Sequence, residues 1–106
     1  MRQMTADELH RYLHSAETAP LLLDVREPHE YAYCRIEGSV NIPMNSVPGR
    51  LNEIDQAATV VTICHHGMRS AAVADYLLGH GYPEVINLQG GIDAWSRLVD
   101  PSVPRY

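Results

Sequence analysis

The sequence predicts an α/β domain, in which a parallel sheet is covered by helices on both faces. Short apolar segments typical of buried strands alternate along the chain with segments of helical periodicity, and only a few residues connect them. Such alternation favours parallel strands joined by crossover helices. The length of 106 residues suits one domain, which we expect to span 1–106 with a loose tail at 99–106 that contains two prolines.

The first half of the chain begins with a polar, helix-like segment, MRQMTADELH, which lacks the apolar core of a signal peptide. Thr5 and Glu8 have the spacing of a capping box, so a helix is predicted over 5–14. The continuous apolar run PLLLDVR at 20–26 is typical of a strand that is buried on both faces. Three weaker elements are expected to follow: a short helix in EPHEYAY (27–33), a brief strand in GSVNIP (38–43), and a turn and helix in SVPGRLNEI (46–54).

The second half of the chain alternates more clearly. The segment ATVVTIC at 58–64 is rich in β-branched residues and predicts a second buried strand. The segment SAAVADYLLGHG at 70–81 has apolar residues at helical spacing and ends in glycines, which predicts a helix with a glycine cap. A further strand is predicted in EVINL at 84–88, and a final helix in GGIDAWSRL at 90–98.

The composition argues against several classes of function. The formal net charge is −5 and no block rich in lysine or arginine is present, so neither nucleic acid nor an anionic membrane surface is expected as a partner. No apolar run approaches the roughly 20 residues that span a bilayer. The two cysteines, Cys34 and Cys64, are too few for a disulfide framework. These features together predict a cytoplasmic protein with reduced thiols.

The stretch ICHHGMRSA at 63–71 is the strongest indication of a functional site. It follows the clearest strand at its carboxyl end, where parallel sheets bind their ligands, and it precedes the clearest helix. A helix N-terminus stabilises a thiolate through its partial positive charge and its unpaired amides. We therefore expect Cys64 to be a nucleophile, cradled by successive backbone amides that form an anion-binding concavity.

The other residues of this stretch suit such a cradle. Gly67 permits a backbone angle that a side chain forbids, and Arg69 adds a permanent charge with a fork of donors. Ser70 is expected to cap the helix and to offer its hydroxyl to the sulfur. The histidines are expected to line the pocket mouth. The residues predicted to bind the substrate or the persulfide are His65, His66, Gly67, Met68, Arg69 and Ser70.

Two other interpretations of Cys64 compete with the nucleophile. A cysteine at a strand end is often a small buried apolar residue, but the coincidence with a glycine, an arginine and a helix start favours a reactive thiol. Cys64, His65 and His66 are also possible zinc ligands. Adjacent histidines diverge, however, and no second pair at ligand spacing exists elsewhere in the chain, so no metal is expected.

Four segments together resemble the rhodanese family in order and approximate spacing, from about Thr5 to Leu98: LLLDVREPHEY, IEGSVNIP, CHHGMRS and NLQGGIDAW. The resemblance implies a three-layer domain with a central parallel sheet of about five strands. It also implies a thiosulfate sulfurtransferase of the rhodanese type, in which Cys64 takes a sulfane sulfur from a small anionic donor and becomes a persulfide. The sulfur would pass to cyanide, a thiol or a sulfur-carrier protein, with no metal or organic cofactor.

The length of the loop separates sulfur transfer from phosphate chemistry. Cys64 to Arg69 spans six residues, counting both. Related folds that dephosphorylate proteins have one more residue and hence a wider cradle for a tetrahedral phosphate. Because pocket size governs which anion is held, the resemblance places this chain with the sulfur-handling members.

Other positions in the resembling segments are predicted to shape the pocket. Asp24 and Arg26 follow a strand, and a structural role is favoured for them, with Arg26 paired to Glu30 and Asp24 accepting loop amides. Where the family usually has Gly-His, this chain has Cys34-Arg35, and Arg35 is a candidate for a positive charge near the pocket. Two more roles are expected to be structural: the Gly90-Gly91 pair permits a tight helix entry, and Trp95 belongs to the core.

Two departures from the family pattern, at 34–35 and at 65–66, leave alternatives open. His65 and His66 stand where efficient thiosulfate-using members often carry a cationic side chain, which argues against strong thiosulfate activity. One alternative function is a non-catalytic or partner-directed module that binds another protein, although an intact Cys64 argues against an inert copy. The other is a redox switch between Cys34 and Cys64, for which a passive Cys34 is the favoured outcome because nothing else near it suggests activation.

Overall fold

A computed structural model describes residues 1–106 and contains five strands and four helices. The strands are β1 (Arg2–Met4), β2 (Leu21–Asp24), β3 (Val40–Asn41), β4 (Val60–Ile63) and β5 (Val85–Leu88). The helices are α1 (Ala6–Ser15), α2 (Pro28–Tyr33), α3 (Met68–Leu78) and α4 (Gly91–Leu98). Two 3-10 helices connect β3 to β4: Met44–Ser46 and Pro48–Glu53. No helix has the length and apolar character that a membrane crossing requires.

The five strands form one sheet in the order β1-β5-β4-β2-β3, and every neighbouring pair is parallel. All residues of β4 and β5 are buried, which explains why their sequences are continuous apolar runs. The predicted α/β class with a parallel sheet of about five strands is confirmed. Since parallel strands end at one edge, the segments that follow β2, β4 and β5 meet there.

The core is divided by the sheet into two apolar clusters. Side chains alternate between the two faces along a strand, so Val61 and Ile63 of β4 belong to one cluster while Val60 and Cys64 belong to the other. Helices α1 and α4 cover the first cluster, and α3 with the 3-10 helices covers the second. The predicted core residue Trp95 is buried in the first cluster. The result is the predicted three-layer arrangement.

The first residues differ from their prediction. The segment predicted as helix-like begins with strand β1, which pairs with β5 at the edge of the sheet, with Gln3 opposite Asn87. Only Met4 of its three residues is buried, so the pairing with β5 overrides a polar local sequence. The capping box itself is confirmed, because Thr5 caps α1 and exchanges hydrogen bonds with Glu8.

The helix after the cysteine loop begins earlier than predicted. It starts at Met68 rather than at residue 70, and its N-cap is Gly67 in a left-handed conformation. The prediction that Ser70 caps this helix is therefore wrong, since Ser70 lies inside its first turn. This start brings the unpaired amides of the first helical turn closer to Cys64 than the sequence suggested.

Candidate active site

Cys64 lies between the end of β4 and the start of α3, with its sulfur turned toward the helix. Its Sγ accepts a hydrogen bond from the Gly67 N–H at 3.0 Å and lies 3.3 Å from the Ser70 Oγ. The residue is only 1% exposed. The sulfur is thus buried and yet faces two polar donors, an environment that suits a thiolate better than a passive apolar side chain.

Gly67 gives the loop its shape. Its φ is +102°, as its predicted role requires, and a Cβ added there would lie 3.2 Å from the Gly90 nitrogen and 3.3 Å from the Leu88 carbonyl oxygen. Any side chain would combine backbone strain with contact against the end of β5. The turn at Gly67 is what aims its own N–H at the Cys64 sulfur.

The start of α4 packs against the same loop and binds its carbonyl groups. Gly91 approaches so closely that a Cβ would collide with the carbonyl oxygens of Cys64 and His65. The amides of Ile92 and Asp93 donate to those two carbonyls at 2.9 and 3.1 Å. The two glycines predicted to permit a tight helix entry therefore also allow that helix to bind the cysteine loop through its N-terminal amides.

Asn87 of β5 ties together the two ends of the loop. Its Oδ1 lies 2.5 Å from the Ser70 Oγ, and its Nδ2 donates to the Gly67 carbonyl at 3.1 Å. Ser70 has a single hydroxyl proton and two neighbours that can accept it, Asn87 and a Cys64 thiolate. Asn87 was not predicted as a site residue, although a polar residue inside the apolar strand EVINL was a usable signal.

Arg69 does not present a free guanidinium. Its Nη1 and Nη2 donate to the two carboxylate oxygens of Glu30 at 2.8 and 3.0 Å. The bond from Arg69 lowers the pKa of Glu30 to about 2, and Glu30 in turn raises the pKa of Arg69. Both groups are therefore charged at neutral pH, and each neutralises the other beside the cysteine loop.

The predicted ion pair between Arg26 and Glu30 is wrong. Arg26 pairs with Asp24 at 2.7 Å, and both side chains are fully buried. Asp24 accepts from the amide of Arg26, which lies in the loop after β2 as predicted, and from the Arg26 guanidinium. Arg26 also donates to the carbonyls of Glu30 and Cys34. The pair joins the end of β2 to α2, which is a supporting role at the side of the pocket.

The tail predicted as loose contributes Tyr106 to the site. The Tyr106 ring stacks on His65, with the ring centroids 3.9 Å apart. Its hydroxyl lies 2.9 Å from the Arg26 Nη1, from which it accepts, and donates to the Glu30 Oε2 at 2.8 Å. Burial raises the pKa of Tyr106 to about 12, so the hydroxyl keeps its proton at neutral pH. Nothing in the local sequence indicated this contact.

The two histidines and Met68 form the rim of the loop. His66 and Met68 are exposed, and both border a depression of about 330 Å³ that reaches Asn87. The His65 ring is stacked on Tyr106 and contacts the tilted ring of His66. Burial lowers the pKa of His65, which keeps this imidazole neutral near neutral pH. His65 therefore adds no positive charge to the rim.

Arg35 follows the end of α2 and is not among the residues that border the depression beside the loop. It is exposed, and its guanidinium lies over the Tyr31 ring at 4.7 Å. This contact is a cation–π interaction on the surface. Arg35 was a candidate for a positive charge near the pocket, but the partner that the structure shows for it is the Tyr31 ring.

Three possible metal ligands do converge near the loop. Nitrogen atoms of His65 and His66 and a carboxylate oxygen of Asp93 lie within 4.8 Å of one another, and the Nε2 of His65 is buried without a hydrogen-bond partner. The carboxylate of Asp93, however, already accepts from Arg97 at 3.2 Å and from Arg105 at 3.1 Å. Two guanidinium cations on its only anionic ligand make this cluster a poor site for a metal ion.

Comparisons with known proteins agree with this geometry. The family model described as Rhodanese-like domain matches residues 5–98. A protein named Sulfurtransferase from Allochromatium vinosum is 43% identical over 77 residues, which are 73% of this chain and 72% of that protein. Thiosulfate sulfurtransferase GlpE from Pseudomonas fluorescens is 33% identical over 79 residues, covering 74% of this chain and 72% of that one. The crystal structure of a rhodanese-like domain protein from Staphylococcus aureus superposes with a TM-score of 0.85 at 31% identity, covering 100% and 99% of the two chains.

Proposed function

Because the chain belongs to the rhodanese-like domain family, we propose that it is a sulfurtransferase that carries a sulfane sulfur as a persulfide on Cys64. The similarity to proteins named sulfurtransferases supports transfer of sulfur in general. Assignment of the step to Cys64 rests on one observation: its sulfur is the atom at which the Gly67 amide and the Ser70 hydroxyl converge.

The first half-reaction loads the enzyme. The Cys64 thiolate attacks the outer sulfur of a donor such as thiosulfate, a new S–S bond forms, and the S–S bond of the donor breaks. Sulfite leaves with the electron pair, and the persulfide anion remains on the enzyme. In the second half-reaction an acceptor attacks the outer sulfur of the persulfide, which restores the Cys64 thiolate. Cyanide, a thiol or a sulfur-carrier protein would serve as the acceptor.

The negative charge stays on sulfur throughout both steps, so catalysis requires donors directed at sulfur. The Gly67 N–H and the N-terminus of α3 supply fixed positive ends of dipoles, and the Ser70 hydroxyl supplies a donor that can turn. Because these groups are preorganised by Asn87 and by the start of α4, little reorganisation is needed when charge moves to the outer sulfur.

Access requires movement of the rim. Cys64 is 1% exposed, so a donor reaches its sulfur only if the neighbouring side chains give way. Met68 is 83% exposed and His66 is exposed, and neither is held by a hydrogen bond at the side chain. We expect the donor to enter past these two residues, through the depression they border.

A disulfide switch between the two cysteines is not supported. Cys34 belongs to the apolar cluster covered by α1 and α4, whereas Cys64 belongs to the cluster on the opposite face of the sheet. A disulfide requires Cα atoms within about 7 Å and Cβ atoms that point toward each other, which two clusters separated by a sheet do not offer.

Mass spectrometry of the intact protein tests the proposal. After incubation with thiosulfate, wild type and Cys34→Ser should each gain one sulfur, located on the peptide that contains Cys64, and cyanide should remove it as thiocyanate. Cys64→Ser should gain none and should lose turnover. Full turnover by Cys64→Ser would show that the sulfur is carried elsewhere.

A further inference from the structure

Given sulfur transfer at Cys64 as proposed above, we infer that Glu30 determines donor specificity. By occupying the guanidinium of Arg69, it disfavours dianionic donors such as thiosulfate relative to uncharged persulfides. Glu30 would thus set the substrate class of the site without taking part in bond making.

The contact that carries this inference is the double hydrogen bond from Arg69 to Glu30. A planar guanidinium binds a carboxylate through two parallel N–H groups, and here both are used on Glu30, at 2.8 and 3.0 Å. The Arg69 side chain is 36% exposed and that of Glu30 only 12%, so the carboxylate is the more enclosed partner. An anionic donor that needed the fork of Arg69 would have to displace Glu30 from it.

Glu30 is also held by further donors. Its Oε1 accepts from the Glu27 N–H at 3.0 Å, and its Oε2 accepts from the Tyr106 hydroxyl at 2.8 Å. Together with Arg69 these contacts give the carboxylate four hydrogen bonds. A group with this many partners is costly to displace, because each abandoned donor must find another partner. Glu30 is therefore held in place, where it competes with an anionic donor for the guanidinium of Arg69.

The other arginines around the loop also bond to carboxylates, although two of them share one. Arg26 is neutralised by Asp24 inside the protein, and Arg97 and Arg105 both bond to Asp93. A thiosulfate dianion near Cys64 would thus meet no guanidinium without a carboxylate partner among these residues, and Glu30 cancels the attraction that Arg69 would exert on it.

An alkyl persulfide that reacts in its protonated, uncharged form does not need the attraction of a free guanidinium. The Cys64 thiolate attacks the terminal sulfur of R–S–SH, a new S–S bond forms, and the S–S bond of the donor breaks. The departing RS⁻ takes the proton of the persulfide and leaves as the thiol RSH, while the persulfide anion stays on Cys64. Only the donors directed at the Cys64 sulfur are needed, and these do not depend on Arg69.

The test compares two donors in wild type and in Glu30→Gln, which keeps the length of the side chain and removes its charge. The probes are thiosulfate and 2-hydroxyethyl persulfide. We expect the ratio of kcat/KM for thiosulfate to kcat/KM for the persulfide to rise about tenfold in the variant, as removal of one nearby like charge implies. The rise should disappear in the double variant Glu30→Gln/Arg69→Ala, because it depends on a released guanidinium.

A matched control is available in the second 3-10 helix, Pro48–Glu53. Arg50 and Glu53 form the same kind of double hydrogen bond, at 2.7 and 2.8 Å, on an exposed 3-10 helix. Glu53→Gln removes the same charge from the protein and should leave the donor ratio at the wild-type value. A rise in this control would attribute the effect to net charge and would overturn the role of Glu30.

The remaining outcomes are distinguishable. If Glu30→Gln lowers kcat/KM equally for both donors, or leaves both values unchanged, the ratio stays at the wild-type value. Glu30 would then only hold the loop, and the inference would be wrong. If Glu30→Gln does not fold, Tyr106→Phe removes one donor to Glu30 while keeping the ring, and no rise in the ratio would overturn the inference. If neither donor loads Cys64 in wild type, the proposed sulfur transfer itself fails.

Discussion

The two thiols of this protein have similar burial and different surroundings. Cys34 is 5% exposed and Cys64 is 1% exposed, and each lies near an arginine. The Sγ of Cys34 is 3.7 Å from the Arg26 Nη1, but the charge of that arginine is balanced by Asp24. Cys64 has a backbone N–H at 3.0 Å and a hydroxyl at 3.3 Å.

The direction of the neighbouring helix explains the difference. Cys34 is the C-cap of α2, where the helix presents carbonyl groups and the negative end of its dipole. Cys64 precedes the N-terminus of α3, where amides and the positive end of the dipole face the sulfur. Burial and a nearby arginine are thus common to both thiols, whereas the helix end and the loop amides differ between them.

Substitution of Gly67 should have the largest effect on this contrast. Gly67→Ala would strain a left-handed backbone and move the N–H away from the Cys64 sulfur, so we expect persulfide formation to slow by about 100-fold, the usual effect of losing one anion-stabilising donor. The rate is measured by quenched mass spectrometry. Gly49→Ala is the control, because a Cβ there meets nothing within 4 Å. An unaltered rate in Gly67→Ala would show that the amide does not stabilise the sulfur anion.

Removal of the hydroxyl near Cys64 should have a smaller effect. Ser70→Ala leaves the Gly67 amide in place but deprives the sulfur of its second donor, and we expect persulfide formation to fall about tenfold. Ser39→Ala removes a hydroxyl that donates to the Ile36 carbonyl and serves as the control. Equal rates in Ser70→Ala and wild type would mean that the Ser70 hydroxyl donates its hydrogen bond to Asn87, and not to the Cys64 sulfur, throughout the reaction.

The sequence was sufficient for the parts of this contrast that are local. The β-branched run before Cys64, the glycine at position 67 and the following helical pattern together predict a strand, a tight turn and a helix start, and the structure has all three. These features depend on backbone conformations that neighbouring residues determine. The start of the helix was misplaced because Gly67, in a left-handed conformation, caps it before Ser70.

The contacts across the sheet could not be predicted in the same way. Asn87 reaches Ser70 only because β4 and β5 are adjacent in a particular register, which local patterns do not encode. Three carboxylates lie within four residues of Arg26 in the sequence, and only the fold shows that it binds Asp24. The third case is Tyr106, which bonds to Glu30 although the two residues are 76 positions apart in the sequence.

The two arginine–carboxylate pairs near the thiols also differ in exposure. Asp24 and Arg26 are fully buried, whereas the Glu30–Arg69 pair is partly exposed. The pKa of Glu30 is lowered from 4.5 to about 2, so its contribution to stability is complete above pH 4.5 and is lost as the pH falls toward 2. We expect the Tm of Glu30→Gln to decrease less than that of wild type over this range. Calorimetry in steps of pH measures both curves, and parallel curves would contradict the shift.

Substitution of the second thiol should have the smallest effect on activity. Cys34→Ala removes a sulfur from the cluster covered by α1 and α4 and leaves the Cys64 loop intact, so sulfur transfer should stay within about twofold of wild type. The lost packing should lower the free energy of unfolding by about 1 kcal/mol, which denaturant titration measures. A passive Cys34 predicts this separation of stability from activity. Slower release of sulfur from Cys64 in this variant, with loading unchanged, would instead make Cys34 a participant in the second half-reaction.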